Sequence, residues 1–484
     1  NCSSRGWWTN NEDKRSIGGM KMLPDDALDR LVSGSKKIGD LCKKNNVQQW
    51  EIIALQSYGH ELDIEAGKIS LAAGGGGGGY GIRVLEDGKF GYAYLVDVNS
   101  AENAINQAIS IARVSPSVEG FVLPSSRDAK EVDGLFDKRI LSVGPDDLLQ
   151  QADSILSEVS SLDKRAVVTG GGLGVSATAG VLTSSEGIEH HGITTSHGIG
   201  VQVSIDEDSQ LTSSWQGESS KNLIDKIPNC VANSVEWAQK TRDPIKIDGG
   251  AQDLPVVMTS EGLGSLFSIV VSSAIKGERL ARMESFWSGK IGQKVIAPDL
   301  SLIDNARMSG GISSSSRDGE GVPTRSQVII DSGKLVGSLW STRDSAKLVS
   351  EGKIEHAETT GSASRGGHQS PPVTSCSNLE LTSTLKSNSV EQLLERMDTG
   401  YIVNSVMGAH TANPTSGDFS VTTSSILRVE EGEIIGSVKQ AGLSGNMSKA
   451  LQSDVFLGND VRVSGRSMYI PDVLFMNGLR VNPA

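Results

Sequence analysis

The sequence of 484 residues has little of several features that mark particular protein classes. Its four cysteines, Cys2, Cys42, Cys230 and Cys376, are scattered and form no CxxC pair, which argues against a disulfide framework and against a zinc ribbon. Proline (14 residues) and aromatic residues (4%) are scarce, whereas glycine is abundant at 56 residues. We therefore expect a folded, turn-rich protein of a reducing compartment, the cytoplasm.

Positive charge and long apolar runs are also lacking. The formal net charge is -13, so we expect no broad basic surface to neutralise phosphates and no direct binding of nucleic acid. The longest apolar stretch, residues 262–275, is about 14 residues long and falls short of the roughly 18 that span a bilayer. We expect no membrane contact and interpret this stretch as a buried, glycine-rich helix.

The pattern of the chain predicts two domains after a leader. Residues 1–22 are polar and charged without an apolar core, and we expect a disordered leader there. The polar, glycine-containing segment 241–252 is typical of a linker. We therefore expect an N-terminal α+β domain over residues 23–245 and a C-terminal β-rich domain over residues 246–484.

Periodicity predicts an antiparallel sheet and helices in the first domain. Period-two segments suggest strands at 50–56, 60–65, 69–73, 80–85 and 90–96, and further strands between 166 and 214. Helical periodicity marks 24–45, 100–112, 145–161 and 221–239. Gly67 and the Asp87-Gly88 pair supply the turn chemistry of hairpins.

The second domain is expected to be mostly β. A strand at 255–258 precedes the glycine-rich helix, many short strands follow, and 389–397 is the only later segment with convincing helical periodicity. The predicted fold class is therefore α+β, with an N-terminal antiparallel sheet and helices, and a C-terminal, mostly β domain around a buried glycine-rich helix.

Two glycine runs invite nucleotide-binding interpretations that their context does not favour. The six glycines at 74–79 are not followed by Gly-Lys-Ser/Thr, and the next segment reads as a strand, so we interpret the run as a flexible strand entry. The run at 170–174 also precedes a strand, whereas a dinucleotide fingerprint must open a helix.

The seven histidines contain no HExxH and no HxH arrangement. His190 and His191 point to opposite faces of a strand, and His197 is too far along it to share a metal with them. His356 and His368 flank a serine- and glycine-rich loop, and they are weak candidates for substrate binding.

Ser273 and Lys276 match an SxxK pattern, in which a lysine deprotonates a serine nucleophile. A match to so short a pattern often occurs by chance, and the SDN and KTG motifs that accompany it in penicillin-binding proteins are absent from this sequence. A serine hydrolase is therefore an alternative rather than the leading hypothesis.

Several short sequence segments, which follow one another in a characteristic order, make the chain resemble the TldD/PmbA family, whose members are also known as modulators of DNA gyrase. They are Ile82-Arg83-Val84 and Gly91-Tyr92-Ala93 in the first domain, and segments 282–283, 292–295, 318–324, 331–335, 416–419 and 458–460 in the second. The resemblance runs from about residue 25 to the end, and the order and spacing of the phrases carry it.

The resemblance implies a metalloprotease fold with a degenerate site. The cutting subunit of that family carries HExxxH on the glycine-rich helix, with a distal cysteine as a further zinc ligand. The matching positions here are Ser268, Ile269 and Ser273, and no cysteine follows Cys376. The chain thus resembles the TldE (PmbA) branch, which implies no catalytic residues and no cofactor of its own, with zinc on a TldD-type partner subunit in a heterodimer.

Three functions remain open at this stage. The leading one is a non-catalytic partner subunit in the processing of unfolded or small peptides, able to homodimerise when alone. The second is a self-sufficient hydrolase that uses Ser273 and Lys276, or an unrecognised metal set that includes His356 and His368. The third is a non-enzymatic peptide-binding module.

Overall fold

The computed structural model describes residues 23–24, 26–207, 210–247, 249–464 and 467–483. The predicted leader, residues 1–22, lies outside them. The helices are α1 Ala27–Lys44, α2 Ala101–Val114, α3 Pro145–Leu162, α4 Asn229–Lys240, α5 Ser260–Phe267, α6 Val271–Ala274, α7 Gly277–Ala281, α8 Thr342–Ser350, α9 Val390–Met397 and α10 Met447–Gln452.

The strands fall into two groups along the chain. The first six are β1 Gln49–Glu65, β2 Lys68–Glu86, β3 Lys89–Leu95, β4 Ala166–Ser184, β5 Glu189–Glu207 and β6 Gln210–Ser220. The others are β7 Val256–Met258, β8 Leu300–Asn305, β9 Ser326–Asp331, β10 Lys334–Leu335, β11 Ala363–Ser364, β12 Val373–Thr374, β13 Leu379–Ser383, β14 Gly400–Val403, β15 Asp418–Thr423, β16 Ile426–Glu430, β17 Glu433–Ser437, β18 Ala441–Asn446, β19 Val455–Ser464, β20 Met468–Phe475 and β21 Leu479–Pro483.

The first six strands form one antiparallel sheet in the order β3-β2-β1-β4-β5-β6. Helices α1 to α4 pack on it, and buried residues alternate with more exposed ones along much of β4, as in Leu173, Val175 and Ala177. Alternation is expected when one face of a sheet packs on a core and the other does not.

The predicted hairpin turns are confirmed. Ala66 and Gly67 join β1 to β2 with φ values of 49° and 73°, and Asp87 and Gly88 join β2 to β3 with the same two values. Positive φ at both central residues is the type I′ geometry, whose twist matches that of the flanking strands.

The prediction of short, separate strands was wrong in the first domain. Residues 50–56 and 60–65 belong to the single strand β1, and the glycine run 74–79 lies inside β2 rather than at its entry. The reason is cross-strand packing: a Cβ at Gly74 would lie 2.6 Å from Nδ1 of His60, and one at Gly76 would meet the ring of Tyr58. Glycine lowers strand propensity, but here it makes room for neighbouring side chains.

The face of this sheet opposite the helices carries small side chains along β1, β4 and β5. We call it the open face and define it by eight partly exposed residues: Ser57, Gly59, Gly174, Ser176, Thr178, Thr194, Ser196 and Gly198. Hydroxyl pairs link its strands, with 2.6 Å between Oγ of Ser57 and Oγ1 of Thr178, and 2.7 Å between the Oγ atoms of Ser176 and Ser196. The result is a smooth, polar surface.

The second part of the chain builds a ten-stranded mixed sheet, a three-stranded sheet β15-β18-β21 and the small pair β11-β12. Its core includes Leu263, Leu266 and Phe267 of α5, which lies against β19 and β20. The α+β fold class, with a mostly β second half around a buried glycine-rich helix, is confirmed. The predicted boundary at residues 245–246 falls between α4 and β7.

Two predicted helices needed correction, and three short helices, α7, α8 and α10, were not predicted. The helix expected at 221–239 begins only at Asn229, because Pro228 precedes it and the main-chain amides of Leu223 and Ile224 bond to Asp137 and His197 instead. The helix expected at 262–275 is divided into α5 and α6.

Candidate functional site

The break between α5 and α6 follows from three serine side chains. The hydroxyls of Ser265, Ser268 and Ser272 donate to the main-chain oxygens of residues 261, 265 and 268, at 3.1, 2.8 and 2.6 Å. Such bonds from a hydroxyl to the preceding helical turn compete with the helix and bend it. The hydroxyl protons on this side of the segment are therefore held by the segment's own main chain.

The structure places the three positions of the degenerate motif around this break. Ser268 and Ile269 are half-buried between α5 and α6, and Ile269 packs against the second core. Ser273 is buried within α6. In the described part of the chain, no hydrogen bond joins the side chains of Ser273 and Lys276, and only the Lys276 amide contacts the Ser273 carbonyl, at 3.3 Å.

Two partly buried carboxyl groups, those of Glu261 and Asp472, lie at the start of α5. The amide of Ser260 donates to Asp472 at 2.9 Å, and the hydroxyl of Ser464 lies 3.5 Å from Oε2 of Glu261. Burial raises the pKa of both Glu261 and Asp472. Gly264 allows β19 to approach, because a Cβ there would lie 2.5 Å from Cβ of Ser464. Sequence reasoning missed this group, although an acidic residue beside the apolar stretch was a visible signal.

Over the described ranges, no three His, Cys, Asp or Glu side chains are grouped so that they could hold a metal ion. His191 is exposed, whereas His197 is buried toward the helices. Its Nδ1 accepts the Ile224 amide at 3.0 Å, and burial lowers its pKa to about 4.

The two histidines predicted as weak substrate contacts occupy different environments. His356 is exposed after α8, whereas His368 lies against the first sheet. The ring of His368 is 6.2 Å from that of Tyr94, and its main-chain oxygen accepts the hydroxyl of Tyr92 at 2.7 Å. Its Nε2 is buried without a hydrogen-bond partner, and burial lowers the pKa of the imidazole.

A buried group of charges joins the two halves of the chain. We call it the seam network and define it as Glu51 and Arg83 of the first sheet with Glu320 and Arg365 of the second domain. Arg83 lies 2.8 Å from Glu51 and 3.3 Å from Glu320, and Arg365 pairs with Glu51. The other carboxylate oxygen of Glu320 accepts the Thr342 amide at 2.7 Å. Every charge in the network therefore has a partner.

The fold and this seam define an α+β protein in which an antiparallel sheet with one open face is held against a β-rich second half that contains a broken helix lined by serines. A family model described as the PmbA/TldA metallopeptidase C-terminal domain matches residues 251–482, and one described as PmbA/TldA metallopeptidase domain 1 matches residues 50–112. The chain belongs to the TldD/PmbA family.

Proteins of similar sequence align with most of the chain. The metalloprotease PmbA of Escherichia coli O157:H7 is 24% identical over 417 residues, which cover 85% of this chain and 87% of that protein. An uncharacterised protein of Methanocaldococcus jannaschii is 28% identical over 425 residues, with 88% and 94% covered.

Solved structures give the same result for the fold. TldE from Thermococcus kodakarensis superposes with a TM-score of 0.81 at 24% identity, covering 93% of this chain and 99% of that one. A proposed modulator of a DNA gyrase from Thermotoga maritima superposes with a TM-score of 0.80 at 25% identity, covering 94% and 100%. No helix in the described residues is both long enough and apolar enough to cross a membrane.

Proposed function

We propose that this chain is the partner-type, TldE/PmbA-like subunit of a heterodimeric TldD/TldE-type metalloprotease that processes unfolded or small peptides in the cytoplasm. One observation carries the proposal. At the segment where the resemblance expects HExxxH the chain carries Ser268, Ile269 and Ser273; the first two lie in the break between α5 and α6, and the third lies in α6.

The groups present at this helix do not fit zinc. Zinc sites in proteins use imidazole, thiolate and carboxylate ligands, and a catalytic site needs three of them. Ser268 offers a neutral hydroxyl whose proton is held by the Ser265 carbonyl, and Ile269 has no acid or base chemistry. The zinc of the complex is therefore assigned to the TldD-type subunit, and this chain holds no cofactor.

The role proposed for this chain is to hold peptide. Its open face presents small side chains, several of them hydroxyl-bearing, so an extended peptide that lies there meets no large side chain that would select its sequence. Hydrogen bonds between these hydroxyls and the main chain of a peptide do not depend on the side chains of that peptide. A surface of this kind is suited to substrates that differ in sequence but share an unfolded conformation.

The test compares the chain alone with a mixture that contains a TldD-type subunit bearing HExxxH. Metal analysis of the isolated chain is expected to find no stoichiometric zinc, and peptide hydrolysis is expected only in the mixture. Native mass spectrometry of both samples detects the heterodimer and any homodimer of the isolated chain.

The alternatives give different outcomes in the same assay. Proteolysis by the isolated chain that is lost in Ser273→Ala, but kept in the matched Ser272→Ala, would establish a self-sufficient hydrolase. Zinc bound to the isolated chain would establish its own metal set. An inactive mixture that still binds peptide would leave a non-enzymatic binding module.

A further inference from the structure

Residues 365–372 form a loop between β11 and β12 that leaves the second domain and rests on the first sheet. We call it the strap. We propose that the strap is a gate: it closes one end of the open face, and it opens to admit an extended peptide. The identity of what enters rests on the function proposed above, whereas the opening of the strap does not.

The position of the strap follows from strand register. Gly77 pairs with Ser57, so Gly77 and Gly79, two residues on, share the side of the sheet on which Ser57 lies. A Cβ at Gly79 would lie 2.7 Å from Nε2 of His368, and one at Gly81 would meet the main-chain oxygen of the same histidine. The strap therefore sits directly on the main chain of β2 at the end of the open face, which only glycine permits.

Few bonds hold the strap in this closed position. At its root, Arg365 pairs with Glu51 and donates to the Gly319 carbonyl at 2.6 Å. Toward the tip, the hydroxyl of Tyr92 bonds to the His368 carbonyl at 2.7 Å, and Ser370 receives a 3.3 Å bond from Arg365. Among the described residues, the tip is attached to the first sheet by one hydrogen bond and by the packing of one imidazole.

Two features favour opening. Gly366 and Gly367 follow the anchored Arg365, and Gly367 has a φ of 138°, so the strap has a flexible joint next to its root. In the closed position Nε2 of His368 is sealed from water without a partner, which is unfavourable for a polar atom. Opening hydrates that atom, and it leaves the charge pairs of Arg83 unchanged.

The reactivity of His368 toward diethyl pyrocarbonate measures the opening, with exposed His356 as an internal reference in the same chain. The reaction is followed by peptide mass spectrometry at a pH above the ordinary imidazole pKa of about 6.5. Nε2 of His368 is sealed and reacts only through local opening, so reaction at that atom is expected to be at least about tenfold slower than the reaction of His356. Equal reaction rates of His368 and His356 in the unaltered protein would contradict the proposal that the strap is a gate.

Matched variants test the contact itself. Gly79→Ala places a methyl group 2.7 Å from Nε2 of His368 and 2.5 Å from the main-chain oxygen of Leu95, and it is expected to bring the rate of His368 to within about twofold of that of His356, because the closed position is then blocked. Gly78→Ala is the control, since its methyl group also meets a main-chain oxygen, that of Leu55, but is not directed at the strap. Continued protection of His368 in Gly79→Ala would overturn the proposal.

A second pair of variants changes two tyrosines of β3 and leaves the glycines of β2 unaltered. Tyr92→Phe removes the bond to the strap and is expected to accelerate the reaction of His368, whereas Tyr94→Phe keeps the ring contact and is expected not to. Adding an unfolded, carboxymethylated polypeptide to the unaltered chain is expected to accelerate it as well. If the variants accelerate the reaction of His368 and the polypeptide does not, the strap opens but peptide is not what it admits. An inactive mixture with the TldD-type subunit would contradict the proposed function and leave the opening of the strap unaffected.

Discussion

The guanidinium of Arg83 in the first sheet lies 3.3 Å from the carboxylate of Glu320 in the second domain, and neither side chain is exposed to solvent. Arg83 also binds Glu51, so one cation neutralises a carboxylate on each side of the seam. Arg83→Met would leave two buried carboxylates short of a partner. We expect it to lower the free energy of unfolding by about 3–5 kcal/mol, measured by urea denaturation.

The control for this prediction is Arg462→Met. The pair of Arg462 with Asp460 is exposed, and removing it is expected to change the free energy of unfolding by no more than about 1 kcal/mol. Equal effects of the two variants would mean that the seam network does not hold the domains together.

Acid is expected to destabilise the protein through His197. Burial lowers the folded-state pKa of its imidazole to about 4, against about 6.5 in an unfolded chain. Between these values the unfolded chain binds a proton that the folded chain does not, so stability falls as the pH falls through this window, by about 3 kcal/mol in all. His197→Asn keeps an acceptor for the Ile224 amide and removes the titration, so unfolding measured across this window should show a shallower loss.

Exposed His191 supplies the comparison for that measurement. His191→Asn is expected to change the free energy of unfolding by no more than about 0.5 kcal/mol, because that side chain is exposed. An unaltered slope in His197→Asn would assign the acid sensitivity to other groups.

The glycine run inside β2 is expected to be sensitive to substitution at some positions and tolerant at others. A methyl group at Gly76 meets the ring of Tyr58, so Gly76→Ala should lower the free energy of unfolding by about 1–3 kcal/mol. Gly75→Ala meets nothing and should be neutral or stabilising by about 0.5–1 kcal/mol, because alanine loses less conformational freedom on folding. Thermal unfolding of the two variants measures the difference, and equal destabilisation would contradict the register of β1 and β2.

The three described cysteines are expected to be unreactive in the native protein. Burial raises the pKa of Cys42, Cys230 and Cys376 to about 12, so almost no thiolate is present at neutral pH. In a Cys2→Ser chain, Ellman's reagent should label none of them rapidly before unfolding and all three after it. Rapid native labelling of Cys376 would show that the second domain opens readily.

Local chemistry made much of the fold predictable. The turns at Ala66-Gly67 and Asp87-Gly88 need positive φ at both positions, and the start of α3 is marked by Pro145. These features depend on neighbours in sequence, which is why the hairpins and the first-domain helices were recognisable.

The rest depends on partners that are distant in sequence. Arg83 and Glu320 are 237 positions apart, and no periodicity connects them. The glycine run is a strand interior only because Tyr58 and His60 lie across it, and the helix near Ser268 breaks through hydroxyl bonds that an apolar pattern does not reveal. The positions of the degenerate motif came from the family resemblance, whereas the carboxyls of Glu261 and Asp472 and the strap required three-dimensional contacts.

The order of strands in the first sheet also sets when it can form during synthesis. Strand β1 pairs with β2 on one side and with β4 on the other, and β4 begins at Ala166, long after β1 ends at Glu65. At an elongation rate of about 5–20 residues per second, the intervening residues, about 100, take roughly 5–20 s to translate. During that time the edge of β1 that later pairs with β4 has no partner. The rate of translation therefore sets the earliest time at which the six-stranded sheet can form.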